Sequence, residues 1–275
     1  MSRMWSFAKG HGTKNDFVLL TDPDDTLAPT DDQVRFLCDR RAGIGGDGML
    51  RAVRARHIDT WTGDPDLWFM DYRNADGSLA EMCGNGLRVF VRYLVEEGLA
   101  SGEEITVGTR AGLRIGTLLP DGRVRVTMGR AQIGVDPVTV HVGEQTWPAI
   151  AVNVGNPHAV SLLPAHDRLE DLDLCVQPTW EPADAFPAGV NLEFVRVLGP
   201  DHLAMRVHER GVGETLSCGT GIVASAAALA FVQGRANGEF TVDVRGGTTT
   251  VELADNQAWL TGPAEIVARG EVRLP

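Results

Sequence analysis

Two tetrapeptides in this chain have the make-up to hold a reactive thiol: Cys83-Gly84-Asn85-Gly86 and, 135 residues further on, Cys218-Gly219-Thr220-Gly221. Each follows a polar, glycine-bearing segment and leads into an apolar run of helical character. A cysteine at a helix start meets the positive end of the peptide dipole and unpaired amides, which lower its pKa from about 8.5 to roughly 3.5–7.5 in favourable settings. The amides at Gly84-Asn85 and Gly219-Thr220 also make a place for an anion such as a carboxylate, and glycine there lets the backbone approach it closely. With both helix starts gripping one substrate, a thiolate and a thiol would face its α-carbon from opposite sides. One sulfur would remove the α-proton and the other would deliver a proton to the opposite face, inverting a stereocentre with no cofactor and no metal. The amides would stabilise the charge developing on the carboxylate. A single cysteine is more often a small buried hydrophobe; the second copy in the same glycine frame is what argues for chemistry.

The elements around the two copies repeat. Trp5 to Phe7 and Phe17-Val18-Leu19-Leu20 read as short strands, with Lys9-Gly10-His11-Gly12-Thr13-Lys14-Asn15 as a glycine-marked turn between them. Thr30 and Gln33 have capping-box spacing and open a helix whose apolar face takes Cys38. Gly43 to Gly48 lacks the lysine and strand-turn-helix frame of a nucleotide loop and reads as a tight loop whose amides line a pocket. Met49 to Val53 and Leu67 to Tyr72 are strands, and Asn74 to Ser78 a turn. Leu87, Phe90, Val91 and Leu94 recur at helical spacing, with Gly98 as the stop. Ile105 to Met128 reads as strand, turn, strand.

A second round follows, with strands at Val138 to Val142 and Ile150 to Val154, a turn at Gly155-Asn156-Pro157-His158, and a strand at Ala159 to Leu163. The Pro-, Asp- and Glu-rich stretch 164–187 reads as surface. Val190 to Val197 and Leu203 to Val207 are strands. Glu209 precedes Cys218 by the same nine residues that separate Asn74 from Cys83. Thr220 to Val232 is apolar on every side, a buried helix, and four strands then run to Val272, the segment after Gly262 returning to pair with the first half. A helix wrapped by its own twisted sheet, twice over, is the simplest α+β architecture that buries both helices. Taken alone, His158 would be a satisfied structural histidine and Glu209-Arg210 a solvated pair; their placement beside a turn and ahead of Cys218 favours a role in the site.

Composition sets the outer limits. The 275 residues, 43% apolar and 23% charged, suit a soluble globular protein of one large or two ordinary domains. A net charge of −12, from 37 acidic and 25 basic side chains, argues against nucleic acid or an anionic membrane as partner. Met1 to Phe7 shows no secretory-leader pattern, and the longest apolar run, Ile222 to Val232, is eleven residues; a bilayer span takes about 20. The expected location is the cytoplasm. Cys38, Cys83, Cys175 and Cys218 form no Cys-x-x-Cys pair, which leaves free thiols as the reading.

Several motifs in order make the chain resemble the diaminopimelate epimerase family over essentially its whole length. They are Gly10-His11-Gly12-Thr13-Lys14-Asn15-Asp16-Phe17, Asn74-Ala75-Asp76-Gly77-Ser78 and Met82-Cys83-Gly84-Asn85-Gly86-Leu87-Arg88. In the second half they are Gly155-Asn156-Pro157-His158, Val190-Asn191, Glu209 to Thr215 and Cys218 to Gly221. The resemblance implies cofactor-independent interconversion of LL- and meso-2,6-diaminoheptanedioate, a step towards lysine and peptidoglycan cross-links. It implies two pseudo-symmetric domains, here 1–121 with 263–275 and 122–262, with the active site in the cleft between them. It assigns Cys83 as proton donor and Cys218 as acceptor in the LL-to-meso direction. Asn15, Asn74, Asn156, Asn191, Glu209 and Arg210 would bind substrate, Gly84-Asn85 and Gly219-Thr220 the reacting carboxylate, and His158 and Glu209 would tune the thiols. Arg210 suits bidentate capture of the distal carboxylate.

Two positions depart from the family pattern. Gly48 stands where many relatives have a substrate-contacting glutamine. Ala268 lies about where some relatives carry a tyrosine at the dimer interface, and the chain's two tyrosines are Tyr72 and Tyr93; a homodimer is still the expectation. A sister racemase acting on proline or hydroxyproline shares the thiol pair and is the nearest alternative, although Arg210 with Asn74 and Asn191 favours the longer substrate. A phenazine-pathway isomerase uses an acidic residue in place of the thiols. From a different class, a thiol redox or metal-binding protein would cycle or coordinate through Cys83 and Cys218.

Overall fold

The computed structural model describes residues 4–275. Met1, Ser2 and Arg3, the start of the stretch read for a leader, lie outside the described residues. The chain divides into two compact units, Met1–Val126 with Gly262–Pro275, and Thr127–Thr261. Among the described residues no helix is long and apolar enough to cross a membrane.

In the first unit the order is β1 (Met4–Gly12), β2 (Asn15–Thr21), α1 (Asp31–Cys38), β3 (Gly48–Arg54), β4 (Trp68–Asn74), α2 (Gly84–Glu96), β5 (Ile105–Thr109) and β6 (Gly112–Leu118), with β7 (Val124–Gly129) reaching the division. The second unit continues with β8 (Gln132–Ile133), β9 (Val138–Val142), β10 (Gln145–Asn153), β11 (Pro157–Leu162), β12 (Thr179–Glu181), β13 (Asn191–Gly199), β14 (His202–Glu209) and β15 (Gly213–Thr215). Then come α3 (Gly219–Val232), β16 (Gly238–Val244), β17 (Gly247–Ala254) and β18 (Gln257–Gly262), while β19 (Glu265–Arg273) belongs to the first unit.

The two units pair their strands in the same sequence. In the first, β1 runs antiparallel to β2, β2 parallel to β3, β3 antiparallel to β4 and β4 parallel to β5, followed by antiparallel β5–β6 and β6–β7. In the second, β10–β11, β11–β13, β13–β14, β14–β16, β16–β17 and β17–β18 repeat that order of antiparallel and parallel pairs. Each sheet packs on its own helix: α2 touches β1, β2, β3, β6 and β19, and α3 touches β10, β11, β13, β14, β16 and β17. The fold is a sheet-dominated α+β architecture.

Local patterns explain the helices. The Leu87, Phe90, Val91 and Leu94 stripe of α2 is fully buried, each such side chain stabilising the fold by about 1.5–3 kcal/mol. Gly98, at φ +67°, ends that helix. In α3 every residue from Gly219 to Ala230 is buried; its alanines let strands close in on all sides, and Phe231 and Val232 emerge at the end. Thr30 and Gln33 form the expected capping box on α1, and Cys38 is 4% exposed. β19 returns to pair with β1, Met4 opposite Arg273.

Several local expectations need correction. Most of the Lys9–Asn15 segment is strand, because β1 runs to Gly12, and the turn is Thr13-Lys14 at φ 50° and 63°. Its glycines serve packing: a Cβ on Gly10 would meet Val89 Cγ1 of α2 at 2.9 Å and the Glu265 carbonyl of β19 at 2.8 Å. The amides of Gly43 to Gly46 line no pocket; they donate to the carbonyls of Asp39, Leu37 and Cys38 at the end of α1. Pro157 and His158 belong to β11, not to the turn before it. The 164–187 stretch is not all surface, since Leu169, Leu172 and Leu174 enter the core beside Trp147 and Phe194. The 105–128 region holds three strands, β5 to β7, because the chain turns at Arg110-Ala111 and again at Pro120-Asp121.

Candidate active site

In the first unit Cys83 is the N-cap of α2, with extended backbone, and its Sγ accepts the Gly86 amide at 3.3 Å. This satisfies one of the amides a helix start leaves open. Asn15, at the head of β2, brings its Oδ1 to 3.6 Å from the Cys83 sulfur and 3.3 Å from Asn85 Nδ2. Asp47 takes the other end of that amide, Asn15 Nδ2, at 2.7 Å. Arg88, on the next turn of α2, donates to Asn85 Oδ1 at 2.6 Å and to Thr13 Oγ1 at 3.1 Å. The first unit thus collects Cys83, Asn15 and Asn85 around one sulfur. Asn74, at the end of β4, turns its amide to Ser78 Oγ at 3.0 Å.

In the second unit Cys218 is the N-cap of α3 and is 7% exposed. Thr220 Oγ1 lies 3.5 Å from its sulfur, and the charge of Glu209, from the end of β14, acts on it. Burial pushes the Cys218 thiol well up from its ordinary value, and the charges of Glu209 and Glu193 push the same way. Glu209 is itself raised, chiefly by burial, although bonds from Thr215 and Cys218 pull it down. Behind them His158, 0% exposed, places Nδ1 2.7 Å from Glu193 Oε1 and Nε2 3.0 Å from Asn156 Oδ1. A Cβ on Gly221 would sit 2.5 Å from Glu193 Oε1; only glycine in the first turn of α3 lets that carboxylate approach. Asn191 Oδ1 accepts the Arg210 amide at 2.9 Å, and the exposed Arg210 side chain folds over Gly189 to the Ala188 carbonyl.

All four cysteines are free thiols. Burial pushes Cys38 up to about 12, which leaves it unreactive, and Cys175 is exposed. Among the described residues no group of three or more His, Cys, Asp or Glu side chains is placed to hold a metal ion. Reading by motif gave no role to Arg88, Thr13 and Thr215, which stand inside its motifs, nor to Asp47 and Glu193, although each touches a residue it had singled out. The signals were faint: an arginine inside an apolar helical run, and a glutamate inside the apolar strand Val190 to Val197.

The family model for diaminopimelate epimerase matches residues 7–134 and 150–274. The diaminopimelate epimerase of Streptomyces coelicolor is 50% identical, covering 98% of this chain and 96% of that protein. That of Corynebacterium glutamicum is 46% identical over 98% of both. Among solved structures, a hydroxyproline epimerase from Agrobacterium vitis superposes with a TM-score of 0.68 over 99% of this chain and 93% of that one, at 17% identity, a likeness of fold.

Proposed function

The chain belongs to the diaminopimelate epimerase family, and from that footing we propose that it interconverts LL- and meso-2,6-diaminoheptanedioate by two-thiol proton transfer. The observation that carries the reading is the doubled cysteine N-cap, Cys83 on α2 and Cys218 on α3, each at the same point of a repeated strand order. In the LL-to-meso direction the Cys218 thiolate takes the α-proton: the C–H bond breaks, an S–H bond forms, and the electron pair remains on the α-carbon and its carboxylate. The Cys83 thiol then gives its proton to the opposite face and is left as the thiolate. The reverse reaction exchanges the roles, and the two titrations belong to the pair rather than to either sulfur.

Amides at Gly84-Asn85 and Gly219-Thr220 receive the reacting carboxylate, on which charge builds during the transfer. Asn15, Asn74, Asn156, Asn191, Glu209 and Arg210 recognise the rest of the substrate, and His158 and Glu209 tune Cys218. Arg210, exposed and held by its backbone to Asn191, has the planar fork for the distal carboxylate. A disulfide between the two sulfurs would remove base and acid together, so activity requires reduced thiols. A homodimer in the cytoplasm completes the reading.

The test is solvent deuterium exchange into LL-diaminoheptanedioate, with proline as the comparison. Label is expected at the α-carbon of diaminoheptanedioate alone. Label only in proline would move the chain to the racemases of similar fold, and label in neither would end the epimerase reading.

A further inference from the structure

Arg88 lies within α2 with its side chain fully buried, at 0% exposure. Its guanidinium reaches two neutral oxygens, Asn85 Oδ1 and Thr13 Oγ1, while Nε and Nη1 have no hydrogen-bond partner. No carboxylate forms an ion pair with it among the described residues. A buried cation without a matching anion is costly, so a nearby anion is the group to look for. Burial lowers Arg88 to about 10, opposed by its attraction to the Cys83 sulfur; at neutral pH it stays charged.

The surrounding hydrogen bonds are set from both ends. A guanidinium only donates, so Asn85 turns Oδ1 to Arg88 and is left with Nδ2 for Asn15 Oδ1. Asp47, as a carboxylate, takes Asn15 Nδ2. Asn15 Oδ1 is thereby aimed at the Cys83 sulfur, where it accepts the S–H when the thiol is protonated and so favours the thiol. In favour of the thiolate stand the Gly86 amide, the helix start and Arg88. The remaining charges nearby are matched or solvated: Asp16 pairs with Lys9 and Arg40, Asp47 with Arg40, and Lys14 and Glu81 are exposed. Cys218 has the opposite surroundings, with Glu209 and Glu193 and a valine, Val223, at the position matching Arg88.

We propose that Arg88 is a positioning residue for Cys83: it locks the Asn85–Asn15 amides and supplies the buried positive charge that holds Cys83 as the thiolate in the free protein, leaving the proton of the pair on Cys218. This rests on the two-thiol reading above and deepens it, because a resting Cys83 thiolate equips the free protein to accept the meso substrate first.

The test is the pH profile of iodoacetamide alkylation at Cys83 and at Cys218 in the full chain, each quantified by mass spectrometry. In the native protein Cys83 is expected to react below the ordinary cysteine range and Cys218 above it. Arg88→Gln, which keeps a donor but loses the charge, should move the midpoint of the Cys83 profile up by about one pH unit, a roughly 10-fold slower alkylation at pH values well below that midpoint. Arg88→Lys should keep the profile low. A native Cys83 profile at or above the ordinary range overturns the proposal whether or not any variant folds. A folded Arg88→Gln protein with an unshifted profile, or Arg88→Lys behaving like the glutamine variant, also overturns it. Deuterium exchange into diaminoheptanedioate, run alongside, separates the two ideas: exchange with an unshifted profile removes only the role of Arg88, and a shifted profile without exchange removes only the epimerase reading.

Discussion

Beneath the first turn of α2 lie Phe17 and Leu50; beneath the first turn of α3 lies Glu193, held by His158. The positions correspond through the parallel strand pairs. Phe17 is in register with Gly48, and His158 with Asn191, while Leu50 and Glu193 each stand two residues further along. The same backbone frame thus carries a dry apolar floor with a buried cation in one copy, and a polar, acidic floor in the other. The repeat supplies two equivalent helix starts, and four exchanged positions, Asn74 for Glu209, Phe17 for His158, Leu50 for Glu193 and Arg88 for Val223, give them opposite charged surroundings. In the proposed two-thiol reaction such a difference serves only as a bias, because each sulfur is the base in one direction.

The largest test of that comparison removes the sulfurs one at a time. Cys83→Ser and Cys218→Ser should each lose roughly 10²–10⁴-fold in epimerisation rate, since a hydroxyl at either N-cap is too weak an acid to replace the thiol. Full activity in either variant would break the pairing of the two copies.

A medium effect is expected at Gly48, the counterpart of Asn191. A Cβ there would meet the Arg73 carbonyl at 2.6 Å and Tyr72 Cε2 at 2.7 Å. Gly48→Gln should therefore destabilise the chain by about 1–3 kcal/mol, about 2–4 °C in melting temperature per kcal/mol. An unchanged melting temperature would show that the first unit has room for a side chain at this position, as the second has at Asn191.

The smallest effect concerns Glu193→Gln. The Cys218 thiol is raised first by burial, then by Glu209 and Glu193. An amide retains an oxygen for His158 Nδ1 but removes one negative charge, so the thiol should fall and its thiolate become more abundant at neutral pH. A half-unit shift is about 3-fold in alkylation rate. A slower or unchanged rate would mean that Glu193 does not act on the sulfur through its charge.

How much of this was legible in the sequence depended on the distance between partners along the chain. Cys83 with Gly86, Thr30 with Gln33, and the apolar stripe of α2 are carried within a turn or two of helix, and local spacing exposes them. Arg88 was hidden because it falls off that stripe, where an amphipathic helix would meet water; α2 is instead enclosed by strands from both ends of the unit. Glu193 was hidden because its histidine stands 35 residues away on a neighbouring strand. The glycines of β1 misled for a related reason. Glycine marks a turn when only neighbours are considered, but Gly10 is small to admit Val89 and the Glu265 carbonyl, neither of them local.

The pairing of β1 with β19 bears on how the chain is made. The second unit is one unbroken segment, Thr127–Thr261, and has all of its residues as soon as that segment leaves the ribosome. The first unit begins earlier yet ends later, because Met4 to His11 must wait for Glu265 to Arg273. Domains generally fold as units and in order of synthesis, but here the order is inverted: the half that starts the chain is completed last, and until then β1 has an open edge.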